Sequence, residues 1–366
     1  MPSSLTPNPI AWTHTGEIID GVYDRHYDCR FRYWKHINRR AGGNAVVPYL
    51  HGGAWFTGGY LSLMDFPSVG KIIRAYFQDP TYAATQNPVD FVTYETPLLG
   101  HQNVSGSSTT TREVTIEGTH PGTGPISLPG TLRTNIRATQ RMVQYLKRNA
   151  LKFDLNPDLI GGMGESAGAQ AVLSGAFSPS APFTTATRST RQNDALHDSR
   201  VRFVINLFGV IDMHPFKTWH QHSRALLGCI DNDPARVRAA VDKLLLLPDA
   251  SGVLSATSAA TPLCKSISPV SLIAASPIAN RDTKIFSVYD LDEQDNTVPS
   301  GYTAPNNPYS NPHDPRQGPT LQSLCDSLDI YHELYRPAGS TFGGSRQLFI
   351  ESVLDEMASF VDAATA

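Results

Sequence analysis

Short apolar runs and helical patterns alternate along the first part of the chain. Ala45 to Leu50 and Val89 to Tyr94 are apolar segments of strand length, which is typical of strands buried on both faces. Between them, the apolar positions from Val69 to Tyr76 recur at helical spacing. The pattern therefore predicts a strand, a helix and a second strand.

The same alternation continues towards the C-terminus. Leu132, Ile136, Val143 and Leu146 fall on one face of a 3.6-residue period and predict a long helix. Further strands are predicted at Leu159 to Met163, Val201 to Phe208, Lys284 to Tyr289 and Ile330 to Tyr335, and further helices at Ala167 to Gly175, Leu321 to Leu328 and Arg346 to Val361. Strands that alternate with helices favour an α/β fold whose mostly parallel sheet is covered by helices on both faces.

Two segments interrupt this regular order. Residues 105–130 are rich in Ser, Thr, Gly and Pro, which indicates an inserted surface loop or small hairpin. Residues 212–280 are helical and irregular between two strands, and we interpret them as a lid or cap region. With these additions, we expect residues 1–366 to form a single domain.

Composition narrows the classes of partner. The chain has 366 residues, 40% of them hydrophobic and 17% charged, with a formal net charge of -3. That balance argues against a nucleic-acid-binding surface, and no apolar stretch approaches the roughly 20 residues needed to cross a bilayer. The N-terminal residues have no signal-peptide pattern. We therefore expect a cytoplasmic protein that acts on a small molecule and binds neither nucleic acid nor membrane; the pattern does not predict an oligomeric state.

The strongest chemical motif is Gly164-Glu165-Ser166-Ala167-Gly168. It lies between a predicted strand and a predicted helix, the context in which a Gly-x-Ser-x-Gly turn presents a serine nucleophile. A sharp turn there lifts the hydroxyl clear of the sheet, and the following helix adds its positive N-terminal end. We predict that Ser166 is the catalytic nucleophile.

A second motif, His51-Gly52-Gly53-Ala54, follows the strand that ends at Leu50. Backbone N–H groups at glycines can point into a cavity without side-chain obstruction. Together with the N–H of Ala167, those of Gly52, Gly53 and Ala54 would form an oxyanion hole. We interpret His51 itself as a structural residue that braces the loop.

With these two motifs in this order, the chain resembles the α/β-hydrolases of the carboxylesterase and hormone-sensitive-lipase-like group over residues 45–361. The lead-in Asn156 to Ile160 before the Ser166 turn is particularly similar to carboxylesterases. The resemblance implies an α/β-hydrolase fold, a Ser-acid-His triad in that chain order and a carboxylic ester or related acyl bond as substrate. The segment His51 to Trp55 is also similar to kynurenine formamidases, so an amide substrate is an alternative.

The resemblance places the triad acid after the strand Lys284 to Tyr289. An Asp-x-x-Val-Pro sequence there favours Asp295, with Asp292 and Asp290 as alternatives. Several carboxylates lie close together in this loop, and some of them serve solubility whichever one is catalytic.

The triad histidine is where the sequence departs from the family. Ser340 occupies its expected place, and no histidine follows His332. A serine cannot accept a proton near neutral pH. His313 is a candidate substitute base, whereas His332, inside a predicted strand, is better explained as a structural histidine.

These observations leave three hypotheses. The first is a serine hydrolase of carboxylic esters. The second is a lyase, cyclase or isomerase of specialised metabolism that keeps the oxyanion hole and has lost the base, and the third is a binding protein without activity. We expect no cofactor, because no dinucleotide or phosphate-binding glycine pattern occurs. We also expect no metal, because His214, His220 and His222 have no carboxylate or cysteine at ligand spacing.

Overall fold

A central sheet of eight strands organises the protein. The computed structural model describes residues 16–24, 29–53, 55, 59–60, 69–78, 87–97, 132–179, 197–212, 266–289, 316–337 and 350–366, together with the backbone of short strands between residues 101 and 125. The strands in these parts are β1 (Ile18–Asp24), β2 (Cys29–Trp34), β3 (Asn44–Leu50), β4 (Val89–Tyr94), β5 (His101–Asn103), β6 (Glu113–Thr115), β7 (Thr119–His120), β8 (Gly124–Pro125), β9 (Leu155–Glu165), β10 (Phe203–Leu207), β11 (Lys284–Val288) and β12 (His332–Tyr335). The helices are α1 (Val69–Gln78), α2 (Leu132–Arg148), α3 (Ala150–Phe153), α4 (Ala167–Phe177), α5 (Pro269–Ala274), α6 (Gln317–Ser327) and α7 (Leu354–Thr365), with a 3-10 turn at Ile278–Asn280.

The strand order in the sheet is β1-β2-β4-β3-β9-β10-β11-β12. Every pair from β4 to β12 is parallel, whereas β1 and β2 add an antiparallel edge. All residues of β3, β4 and β10 are buried, as expected for strands covered on both faces. The predicted mostly parallel sheet is thus confirmed.

Helices cover both faces of the sheet. Phe203 of β10 packs edge to face against Phe360 of α7, 6.0 Å between ring centroids. Asn206 is an odd number of residues after Phe203 in the same strand, so its side chain lies on the opposite face of the sheet. On that face, a Cβ built on Gly209 would contact both Asn206 and Ala169 of α4. α7 therefore covers one face and α4 the other.

The antiparallel edge of the sheet was not predicted. Strand β1 alternates between exposed and partly buried residues and carries Gly21 in its middle, so it has no continuous apolar run that would predict a strand. The glycine is required because a Cβ there would lie 2.6 Å from the ring of Phe31 on β2. Strand β9 is also longer than predicted, since it begins at Leu155, directly after a left-handed turn at Asp154 (φ 56°).

The two predicted interruptions are only partly described. Between residues 105 and 130 the backbone forms short strands: β6 pairs with β5, and β7 pairs with β8. Of the predicted lid, residues 213–265 lie outside the described part, and residues 269–274 form α5, which contacts α4. The division of the chain into one domain with a lid stays a prediction. In the described parts, no helix has both the length and the apolar character of a membrane span.

Candidate active site

Ser166 lies at the sharp turn between β9 and α4. Its backbone has φ 53° and ψ −119°, a conformation that side-chain-bearing residues rarely adopt. The turn is held at both ends, because Ser166 N donates to Leu207 O of β10 at 2.9 Å and Gln170 N donates to Ser166 O at 3.1 Å. Backbone strain of this kind persists where the surroundings enforce it, often at functional sites. The predicted strand-turn-helix context of the serine is confirmed.

The two glycines that flank this turn allow the backbones to come close together. A Cβ on Gly164 would lie 2.5 Å from Ala169 N, so a side chain there would collide with the start of α4. A Cβ on Gly168 would lie 2.5 Å from His51 O and closer still to Leu50 O. The first turn of α4 therefore packs directly on the backbone at the end of β3.

The glycine loop after β3 lies beside Ser166. A Cβ built on Gly52 would be 3.3 Å from the Cβ of Ser166 and 2.8 Å from Oε1 of Glu165, whose other carboxylate oxygen accepts from Tyr49 OH at 2.9 Å. Gly53 has φ 120°, which few other residues adopt. The structure thus brings Gly52 next to Ser166, while Ala54 lies outside the described residues.

The amide of Ala167 belongs to the same small region. Ala167 is the first residue of α4, and the first N–H groups of a helix have no acceptor within the helix. No acidic residue occupies the first turn of α4 itself, and the positive end of its dipole lies at the Ser166 turn. This arrangement favours negative charge near Ser166.

His51 braces the glycine loop from inside. Its Nδ1 lies 2.5 Å from Gly52 O, an arrangement in which Nδ1–H donates to the carbonyl. Burial lowers the pKa of His51 below its ordinary value, so the ring is neutral near pH 7. These contacts support the structural role expected for this histidine.

A second brace runs from the loop to α4. Trp55, which has φ 64°, donates its indole N–H to Gln170 Oε1 at 2.9 Å. The amide of Gln170 in turn donates to Ile267 O at 2.7 Å and to Ser174 Oγ at 3.1 Å. One buried side chain thereby joins the loop, α4 and the segment that leads into α5.

His332 is too far from Ser166 to exchange a proton with it. It pairs with Ile285 at the start of β12, whereas Ser166 follows the end of β9, three strands away. At about 3.3 Å per residue and about 4.8 Å per strand, their Cα atoms are separated by roughly 20 Å. His332 Nε2 instead lies 2.9 Å from Ser287 Oγ, and burial lowers its pKa to about 4. It is a structural histidine, as its position in the sequence suggested.

The other predicted acid and base residues lie outside the described parts of the chain. These are Asp290, Asp292, Asp295, His313 and Ser340. Among the described residues, no cluster of His, Cys, Asp or Glu side chains has the makings of a metal site. The three histidines at 214, 220 and 222 are not among them.

Sequence reasoning overlooked two buried amides behind the loop. Asn135 of α2 donates to Thr96 Oγ1 at 2.6 Å, and Gln170 forms the brace described above. Gln170 interrupts the small-residue run at the start of α4, whereas Asn135 is one of several buried polar residues of α2. A polar residue at a core position of a predicted helix is the signal that could have found them, because buried amides need hydrogen-bond partners.

Comparisons with known proteins agree with this architecture. The model of the BD-FAE family, an α/β-hydrolase-type esterase family, matches residues 131–277. Esterase 2 of the planctomycete Thermogutta terrifontis with bound propionate superimposes with a TM-score of 0.54 at 12% identity, covering 97% of this chain and 96% of that one. The same enzyme phosphonylated by sarin gives 0.54 at 12% identity, with 95% and 94% covered. A sequence search of curated proteins finds no match.

The chain has the α/β-hydrolase fold. The superposition covers nearly the whole length of both this chain and the esterase. Within this fold, the BD-FAE match begins just before α2 and ends after α5, so it includes the Ser166 turn and leaves out the loop at His51.

Proposed function

We propose that the protein hydrolyses a carboxylic ester of a small molecule, with Ser166 as the nucleophile. The observation that carries the proposal is the strained turn at Ser166 with Gly52 packed directly beside it. A packing turn without a catalytic role would not need a serine at φ 53°, since glycine adopts this region at no steric cost. The esterase families and structures that the chain resembles add support.

In this mechanism Ser166 Oγ attacks the acyl carbon, and the carbonyl oxygen takes up negative charge. The N–H groups of Gly52, Gly53, Ala54 and Ala167 would stabilise that charge, and losing one such donor typically costs about 100-fold or more in kcat. Collapse of the intermediate releases the alcohol and leaves an acyl-enzyme. Water then attacks the acyl-enzyme and regenerates Ser166.

The proton in each step needs a base and an acid. We propose His313 as the base, oriented by Asp295, with Asp292 and Asp290 as alternative acids; the sequence order supports this assignment. His51 is a poor alternative because burial lowers its pKa below the ordinary value, which makes the ring a weak proton acceptor.

A second function is favoured by one specific observation, the serine at position 340 where a triad histidine is expected. An enzyme that keeps the oxyanion hole but lacks the base could stabilise an enolate or alkoxide without forming an acyl-enzyme. Such an enzyme would be a lyase, cyclase or isomerase. It would bind the substrate in the same pocket and leave Ser166 unacylated.

Covalent labelling separates the two functions. We expect the purified protein to hydrolyse p-nitrophenyl acetate and butyrate and to react with a fluorophosphonate probe, because the probe reports an activated serine. Ser166→Ala should abolish labelling and turnover. The control Ser359→Ala removes an exposed hydroxyl on α7 that bonds only the local backbone, and should change neither.

Two results would redirect the assignment. Absence of labelling and turnover in a folded wild-type protein would contradict hydrolysis and favour the second function. If labelling occurs and His313→Ala turns over at the wild-type rate, His313 is not the base.

A further inference from the structure

A small cavity lies against the glycine loop and reaches the first turn of α4. Its walls are formed by the end of β3, the loop, the segment after β4 and the starts of α2 and α4, and they include His51, Gly52, Trp55, Thr96, Asn135 and Ala167. Its volume is about 10 Å³, which is enough for the centre of a single water molecule. It is therefore too small for a substrate.

Two buried polar atoms belong to side chains that line this cavity. They are His51 Nε2 and Asn135 Oδ1, and neither has a hydrogen-bond partner among the residues that the structure describes. Trp55 on the same wall shows the contrast, because its N–H is satisfied by Gln170. Leaving a polar atom buried without a partner costs about 1–3 kcal/mol, so native proteins rarely tolerate two together.

Both atoms are hydrogen-bond acceptors. The proton of the neutral His51 ring is on Nδ1, which contacts Gly52 O, so Nε2 presents a lone pair. Asn135 uses its NH₂ group toward Thr96 Oγ1, which leaves its carbonyl oxygen to accept. Two acceptors cannot satisfy each other, and both belong to side chains that line the same cavity, so a donor with two hydrogens in that cavity can satisfy both.

We propose that one ordered water molecule occupies this cavity and donates one hydrogen to His51 Nε2 and the other to Asn135 Oδ1. A water has two hydrogens to give, and buried waters with such partners behave as part of the structure. The water thereby ties α2 to the glycine loop through His51.

This link makes Asn135 a positioning residue for the oxyanion hole, a role that rests on the proposed function. His51 bonds Gly52 on one side of its ring and the water on the other, so the water and Asn135 fix the angle of the ring and with it the peptide of Gly52. That peptide precedes the N–H of Gly53, one of the proposed oxyanion donors. Loss of the link should lower kcat more than it raises KM, because the donors act on charge that develops in the transition state.

The water and the tautomer can be tested in the wild-type protein without any activity. A high-resolution crystal structure should show density about 2.7–3.2 Å from both His51 Nε2 and Asn135 Oδ1. Long-range ¹H–¹⁵N NMR of the histidine rings should place the His51 proton on Nδ1. Direct contact between the two side chains, or a proton on Nε2, would overturn the proposal.

The positioning role is tested by two variants. Asn135→Leu removes the acceptor and should lower kcat for p-nitrophenyl acetate about tenfold with KM within about twofold. Thr96→Val is the matched control, because it removes the partner of the Asn135 NH₂ group and leaves Oδ1 facing the cavity. It should stay within about threefold of the wild-type kcat.

Equal losses in both variants would mean that Asn135 acts only through Thr96, and would overturn the positioning role. If Asn135→Leu does not fold, the crystal and NMR results on the wild-type protein still decide the water site. If the wild-type protein has no esterase activity, the proposed function fails while those same two measurements remain decisive for the water.

Discussion

Gly168→Ala offers a direct test of how closely α4 must approach the glycine loop. The added methyl group would lie 2.5 Å from His51 O and closer still to Leu50 O, both of them backbone atoms that cannot rotate away. Ordinary contact needs about 3.4 Å. The first turn of α4 and the end of β3 must therefore separate by roughly 1 Å.

A displacement of this size acts on the geometry of catalysis. Ser166 and Ala167 move with α4, whereas Gly52 and Gly53 move with β3, so the nucleophile and the oxyanion donors shift apart. A misplacement of about 1 Å can cost about 100-fold in rate. We expect kcat/KM for p-nitrophenyl butyrate to fall by about that factor, and the rate of fluorophosphonate labelling to fall with it. Overpacking should also reduce the free energy of unfolding by about 1–3 kcal/mol in urea titrations.

The matched control is Gly175→Ala, on the same helix. Its methyl group would meet Cγ2 of Thr139 at 3.2 Å, a contact that a shift of a few tenths of an ångström relieves. Activity should stay near the wild-type value, and stability should change by less than about 1 kcal/mol. Wild-type kcat/KM in Gly168→Ala would show that the distance between α4 and the loop does not govern the chemistry, and would refute the reasoning.

Two further predictions concern stability. Asp90 is fully buried and accepts hydrogen bonds from Tyr33 OH at 2.6 Å and Arg39 Nη1 at 2.8 Å, so Asp90→Ala should lower the free energy of unfolding by about 3 kcal/mol. Asp154→Asn removes the charge of the exposed partner of the same arginine and suits the left-handed backbone at this position, so it should cost less than about 1 kcal/mol; equal losses would contradict the role of burial. Burial lowers the pKa of His332 to about 4, so the folded state binds fewer protons than the unfolded state, and stability present above about pH 6.5 is lost as the pH falls towards 4. His332→Phe should flatten this part of the curve of unfolding free energy against pH, and an unchanged slope would exclude His332 as its source.

The parallel part of the fold could be predicted from the sequence because its strands are apolar throughout. Val89 to Tyr94 is one such strand, and its predicted bounds agree with the structure. The edge hairpin was missed for the opposite reason. Half of β1 faces solvent, and Arg30 and Arg32 separate buried residues of β2, so neither strand has the continuous apolar run that marks the parallel strands. Its register depends on the ring of Phe31 over Gly21, a contact that exists only once the strands have paired.

The part of the candidate site that depends on local backbone shape could be predicted from the sequence. The motif around Ser166 predicts a sharp turn from local sequence alone, because only small residues fit at 164 and 168. The supporting amides were missed because their role depends on distant contacts. Asn135 acts through its hydrogen bond to Thr96 and through the cavity that it lines together with His51. No local sequence pattern indicates which loop a helix will face.

The bonds of Gln170 have a consequence for the order of assembly during folding. Its amide joins Trp55, 115 residues earlier in the chain, to Ile267, 97 residues later. Contacts of such long range form late, since each requires the closure of a large loop of chain. The glycine loop acquires its final shape only after three distant segments have met, so enzymatic competence should return last in refolding, after the helical and sheet signals have recovered.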